Sequence, residues 1–66
     1  MKNILILGGS GTIGNALYKE LSPYYNCYIT YFTKKNTINK KKIFFDLSIL
    51  NLVSILKFTE PKLIIN

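Results

Sequence analysis

The stretch from Asn3 to Leu21 constrains the fold more than any other, because its hydrophobic pattern changes twice. Ile4 to Leu7 form an unbroken apolar run, which predicts a strand buried on both faces of a sheet. All four glycines of the chain follow between Gly8 and Gly14. The spacing beyond them predicts a helix over Thr12–Leu21, with one apolar face made of Ile13, Ala16, Leu17 and Leu21.

A glycine turn between a strand and a helix is typical of a phosphate-binding site. Backbone N–H groups and the positive end of the helix dipole face an anion there, and glycine allows left-handed angles and close approach. Gly9, Gly11 and Gly14 fit Gly-x-Gly-x-x-Gly, whereas Gly8, Gly11 and Gly14 fit Gly-x-x-Gly-x-x-Gly. A glycine-rich turn that binds nothing is the alternative. A nucleoside-triphosphate loop is excluded because no Lys-Ser or Lys-Thr follows. The predicted cofactor contacts in this turn are Gly8, Ser10, Gly11, Thr12, Ile13 and Gly14.

The rest of the chain alternates strands with a second helix. Strands are predicted over Cys27–Phe32, Ile43–Phe45 and Leu63–Asn66, from their aromatic, β-branched or apolar composition. Ser48 is a plausible N-cap for a helix over Ile49–Phe58, whose apolar residues cover more than one face. This alternation predicts an α/β fold, a Rossmann-like parallel sheet in the order 3-2-1-4 with the first strand central.

The chain of 66 residues is short for such a fold. A complete dinucleotide domain needs about twice this length, and the final apolar run ends without a cap or turn. We therefore expect residues 1–66 to be the N-terminal part of an NAD(P)-binding Rossmann domain, truncated after the fourth strand. The rest of the domain and a substrate domain would be absent, and the chain alone would be catalytically inactive and marginally folded.

Two segments resemble a known family. Both are similar to segments of the extended short-chain dehydrogenases/reductases. The first is Gly8-Gly9-Ser10-Gly11-Thr12-Ile13-Gly14, close to the N-terminus. The second runs from Asp46 to Asn66 and consists of Asp-apolar-Ser, a helix, Pro and an apolar strand that ends on Asn. Leu7, where the family often has Thr, favours the sugar-nucleotide reductases related to the dehydrorhamnose reductases. The resemblance implies hydride transfer to a nucleotide-linked keto sugar, or alternatively a sugar-nucleotide epimerase or dehydratase. It also implies that Asp46 and Leu47 lie against the adenine, although Asp46 can equally be an ordinary strand-end or capping acid.

The end of the second predicted strand bears on the choice of dinucleotide. NAD-specific folds place an acid there, about 20 residues past the glycines, to bind the ribose 2′-hydroxyl. None of the residues from Tyr31 to Lys34 is acidic, and a hydroxyl with an ammonium can bind a 2′-phosphate. Thr33 and Lys34, with Lys35 in reserve, therefore predict NADP as the cofactor, with NAD possible. A plain solvated loop is the alternative for this lysine-rich segment.

Composition limits the other functions. The net charge is +6, but arginine is absent and 48% of the chain is hydrophobic, so we expect no nucleic-acid partner. No apolar run approaches the length of a membrane span and the apolar stretch at the N-terminus is too short for a signal peptide, so we expect no membrane partner and a cytoplasmic location. The chain has no histidine and one cysteine, Cys27, which predicts no metal site and a buried apolar role for that thiol. Tyr31 and Lys35 have the catalytic Tyr-x-x-x-Lys spacing, but on a strand they would lie about 13 Å apart along the chain. No catalytic residue is therefore assigned, and a non-catalytic dinucleotide-binding protein is a further alternative.

Overall fold

Strands and helices alternate along the chain in the computed structural model, which describes residues 2–8, 11–32 and 41–66. The elements are β1 (Asn3–Ile6), α1 (Thr12–Leu21), β2 (Asn26–Tyr31), β3 (Lys42–Phe44), α2 (Ile49–Thr59) and β4 (Leu63–Ile65). The four strands pair in parallel in the order β3-β2-β1-β4. The predicted α/β class, parallel sheet and strand order are confirmed, and β1 is central.

The core forms around β1, whose residues Ile4, Leu5 and Ile6 are all buried. On the α1 side, a buried cluster from β1 and β2 is covered by α1 and β4; it consists of Ile4, Ile6, Cys27 and Ile29, with Leu17, Tyr18, Leu21 and Ile65 packed against it. Because strand side chains alternate between faces, Leu5 belongs to the opposite face, where α2 lies against β1. The apolar run of β1 is thus buried on both faces, as predicted.

Cys27 is buried in this cluster, as its apolar role predicted. Burial raises the pKa of its thiol, more strongly than a hydrogen bond with Ser22 and the charge of Lys41 lower it. The thiol is therefore protonated at neutral pH and acts as a small apolar side chain.

Element boundaries differ from the predictions by about one residue. α1 matches the prediction, whereas each strand is shifted or shortened slightly. Leu7 lies just outside β1, although its N–H still donates to the carbonyl of Ile65 at 2.8 Å. Lys42, expected in the polar loop, belongs to β3 because it pairs with Ile29.

The predicted apolar face of α1 is only partly correct. Leu17 and Leu21 pack on the core, together with Tyr18, which the prediction omitted. Ile13 is 77% exposed and Ala16 is also exposed. Ile13 lies in the first turn, next to a cleft at the sheet edge, and therefore has no strand beneath it.

The second helix carries apolar residues on more than one face, as predicted. Ile55 is buried, while an outer set is exposed, namely Ile49, Leu50, Val53 and Phe58. Ser48 is the N-cap and its hydroxyl accepts from the Asn51 N–H at 3.1 Å, which confirms the predicted cap. Neither helix in the described part of the chain is long and apolar enough to cross a membrane.

Candidate functional site

An open cleft of about 450 Å³ lies at the carboxyl ends of β1 and β4. Its lining combines the ends of these strands with the glycine turn and the start of α1: Ile6, Leu7, Gly8, Gly11, Thr12, Ile13, Gly14, Leu17, Ile65 and Asn66. β1 has β2 and β3 on one side and β4 on the other, so the strand order reverses at this point. In open parallel sheets, the crevice at such a reversal is where ligands bind.

Gly8 turns the chain out of β1. Its φ of +86° lies in the left-handed region, which L side chains rarely adopt, while an added Cβ would meet no atom of the described residues within 4 Å. Backbone conformation, and not space, therefore requires glycine here. The Gly8 N–H donates to the Thr30 hydroxyl oxygen on β2 at 3.2 Å.

Gly11 differs from Gly8, because nothing in its own conformation requires glycine. It is the N-cap of α1, with φ −86° and ψ 162°, angles open to any residue. Among the described residues, the nearest atom to an added Cβ would be the Gly8 carbonyl oxygen, at 4.0 Å. A side chain at Gly11 would instead take up room beside the cleft that Gly11 lines.

The start of α1 therefore presents backbone donors to the cleft. Gly11 has no side chain to cap the helix, and the first turn contains no acidic residue. The first N–H groups of an α-helix, here those of Thr12, Ile13 and Gly14, have no acceptor within the helix. The Asn15 N–H is the first to bond within it, donating to the Gly11 carbonyl at 3.2 Å. This arrangement, with the helix dipole, favours an anion.

The structure brings together five of the ten predicted cofactor contacts. Gly8, Gly11, Thr12, Ile13 and Gly14 all line the cleft. Ser10, Thr33 and Lys34 lie outside the described residues, as do Gly9 and the reserve candidate Lys35. Asp46 and Leu47 do not line this cleft; they follow β3, at the same carboxyl edge of the sheet.

Asp46 takes part in the cap of α2. Its Oδ1 accepts from the Ser48 N–H at 2.9 Å, and its own N–H donates to Asn51 Oδ1 at 2.9 Å. Hydrogen bonds from the Ser48 hydroxyl and then from the Ser48 N–H lower the pKa of this carboxyl. The capping interpretation therefore accounts for these contacts, whereas the adenine contact stays a prediction.

Leu47 adopts an unusual backbone conformation between these capping residues. Its φ is +70° and its side chain is 66% exposed. Holding a non-glycine residue in the left-handed region costs on the order of 1–3 kcal/mol, and such residues cluster at ligand sites. The turn thus presents a large apolar side chain to solvent at the carboxyl edge of the sheet.

The end of β2 places Tyr31 on a strand, as the sequence predicted. Tyr31 is the last residue of the strand, whereas Lys35 lies outside the described residues, so the rejection of the Tyr31–Lys35 pair stays a prediction. Phe32 follows and contacts Phe45 after β3, with ring centroids 6.0 Å apart. An aromatic residue, and not an acid, therefore follows directly at the end of β2, where NAD-specific folds place an acid.

Sequence reasoning missed Thr30. It is fully buried, and its hydroxyl reaches across to the glycine turn. The available signal was a hydroxyl residue at an inner position of an otherwise apolar and aromatic strand. Buried polar groups need partners, so such a residue indicates a specific hydrogen bond.

Comparison of the chain with protein-family models, with curated proteins and with solved structures found no match.

Proposed function

We propose that this chain is the cofactor-binding segment of an NAD(P)-dependent oxidoreductase that reduces a keto sugar carried on a nucleotide, with NADP preferred. The observation that carries the proposal is the cleft at the strand-order reversal, where Gly8 and Gly11 lead into the uncapped start of α1. Its volume, about 450 Å³, is within the range of small-molecule sites. The sugar substrate and the reductase class rest on the family resemblance.

The donor set fits a dinucleotide pyrophosphate. The N–H groups of Thr12, Ile13 and Gly14 would donate to the phosphate oxygens, and the missing side chain of Gly11 would leave room for them. The net charge of +6 favours any anionic ligand. These groups would bind and orient the cofactor, and NADPH would supply the hydride for reduction of the keto carbon.

The remaining contacts would fix the two ends of the adenosine moiety. Leu47 would offer its exposed side chain to the adenine, with Asp46 beside it in the turn. Thr33 and Lys34 would bind the 2′-phosphate through a hydroxyl and an ammonium.

Titration of the full gene product with NADPH, NADH and ATP tests the proposal. We expect NADPH to bind at least about tenfold more tightly than NADH, because one charge-assisted hydrogen bond contributes roughly 1.5–3 kcal/mol. Lys34→Ala should weaken NADPH binding by about tenfold and leave NADH binding unchanged. Lys57→Ala, which removes the same charge from the exposed last turn of α2, is the matched control.

Each negative result has a separate meaning. Failure to bind either dinucleotide would overturn the proposed function. Equal wild-type affinities, or a Lys34→Ala loss shared by both cofactors, would overturn the NADP preference alone. NADPH oxidation in the presence of nucleotide-linked keto sugars tests the reductase class. Conversion of the sugar without net oxidation or reduction would indicate an epimerase or dehydratase. Binding without any turnover would indicate a non-catalytic dinucleotide-binding protein.

A further inference from the structure

We propose that Thr30 is a positioning residue of this site: its hydroxyl holds the Gly8 N–H and thereby fixes the turn that presents the start of α1 to the cofactor. This inference rests on the proposed function. Thr30 does not line the cleft and would not touch the dinucleotide.

The hydrogen bond lies where β1 leaves the sheet. The Leu7 N–H donates to Ile65 on β4, and the next N–H, that of Gly8, donates to the other side, to Thr30 on β2. Successive N–H groups of a central strand point to opposite neighbours, so Gly8 continues this alternation. Its acceptor, however, is a side-chain hydroxyl, which ties the first residue of the turn to a neighbouring strand.

Gly8 needs such a restraint more than another residue would. Glycine populates both signs of φ about equally, so the left-handed conformation at +86° is one of several open to it. The fully buried Thr30 oxygen is fixed by the packing of β2 and favours the conformation in which Gly8 donates to it. A turn held in its binding geometry before the ligand arrives loses less entropy on binding.

The same bond restricts which amides can bind phosphate. Because the Gly8 N–H is used by Thr30, the donors for the pyrophosphate must come from beyond Gly8, including the first turn of α1. Bound NADPH should therefore shift the amide resonances of Thr12, Ile13 and Gly14 strongly, and leave the Gly8 amide proton protected from exchange.

Thr30→Val and Thr30→Ser separate the hydroxyl from the shape of the side chain. Valine keeps the branched shape without an acceptor, and serine keeps the acceptor. The control is Thr59→Val, because Thr59 is equally buried and its hydroxyl donates to the Ile55 carbonyl at 2.8 Å, inside α2. NADPH affinity, thermal stability and the exchange rate of the Gly8 amide are measured for each full gene product.

We expect Thr30→Val to weaken NADPH binding by about tenfold, equivalent to roughly 1.4 kcal/mol, and to speed exchange of the Gly8 amide. Thr30→Ser should restore both properties to within about threefold. Thr59→Val should lower stability without changing the affinity. If Thr30→Val does not fold, Thr30→Cys, with only a weak sulfur acceptor, should show the same two losses.

Two results would overturn the inference. One is a Thr30→Val protein with wild-type affinity and unchanged Gly8 exchange. The other is equal weakening of NADPH binding by Thr30→Val and Thr59→Val, since the effect would then follow stability alone. A wild-type protein that binds no dinucleotide would overturn the proposed function, whereas the Gly8 exchange rates would still decide whether Thr30 holds the turn.

Discussion

Replacing Gly11 with aspartate should stabilise the fold and abolish tight cofactor binding at the same time. The N-cap angles of Gly11, φ −86° and ψ 162°, suit aspartate, and the nearest atom to an added Cβ in the described part of the chain is the Gly8 carbonyl oxygen, at 4.0 Å. The new carboxylate can accept from the first-turn N–H groups, as Ser48 does at the start of α2. The substitution would thus give α1 the cap that it lacks.

The two expected effects have opposite signs. Aspartate is a better N-cap than glycine by a few tenths of a kcal/mol, and its charge near the helix N-terminus adds about 0.3–1 kcal/mol, so the free energy of unfolding should rise by roughly 0.5–1 kcal/mol. The carboxylate would also take donors from the pyrophosphate and repel it. Loss of one charge-assisted hydrogen bond costs roughly 1.5–3 kcal/mol, so the affinity for NADPH should fall by a factor on the order of 10².

Urea unfolding and NADPH titration of the same preparations provide the test. Gly11→Asn is the neutral control, since it caps the helix without adding charge. Asn15→Asp adds the same charge one turn further along α1, at an exposed position that does not line the cleft. A Gly11→Asp protein that binds NADPH as tightly as the wild type would refute the assignment of this helix start to phosphate. So would an Asn15→Asp protein that loses as much affinity as Gly11→Asp.

Other expected outcomes concern strain and acid sensitivity. Leu47→Gly and Glu60→Gly each relieve a left-handed backbone, at φ +70° and +44°, and should each raise the free energy of unfolding by roughly 1 kcal/mol in urea titrations. Only Leu47→Gly should weaken NADPH binding; equal affinities in both variants would remove Leu47 from the site. Hydrogen bonds from Ser48 lower the pKa of Asp46 in the folded state below its ordinary value of 3.8. Their stabilisation is therefore complete above that ordinary pKa and is lost as the pH falls through the lower, folded value. Asp46→Asn should reduce this acid-induced loss in urea unfolding measured across the acidic range, and an unchanged pH profile would show that the bonds contribute nothing.

The parts of the fold that sequence reasoning predicted are those with local causes. The apolar run before Gly8 predicted β1, the helical spacing predicted the bounds of α1, and Ser48 predicted the start of α2. Once these elements were placed, the alternation of strands and helices predicted the strand order. Half of the candidate contacts gathered in one cleft because they are neighbours in a single turn.

The features that sequence reasoning missed depend on contacts between distant residues. Ile13 has helical spacing with Leu17, but the sheet ends before it reaches Ile13, so the side chain is exposed. Thr30 is 22 positions from Gly8, and only the sheet brings them together. The left-handed angle of Leu47 follows from the hydrogen bonds around it and is not a preference of leucine.

The two helices that the structure describes begin in opposite ways. At the start of α2, the Ser48 hydroxyl accepts a hydrogen bond from the Asn51 N–H, and the Asp46 carboxylate accepts one from the Ser48 N–H. At the start of α1, Gly11 has no side chain that could accept such a bond. Gly14, inside α1, costs roughly 1 kcal/mol relative to alanine, and Leu47 adds backbone strain. Gly11, Gly14 and Leu47 lie at the carboxyl edge of the sheet or in the helix start beside it, whereas Glu60, which is also left-handed, lies at the opposite edge between α2 and β4. An N-cap side chain at position 11 and an alanine at position 14 would each stabilise α1, so the two glycines fit the anion site proposed above better than a turn with a purely structural role.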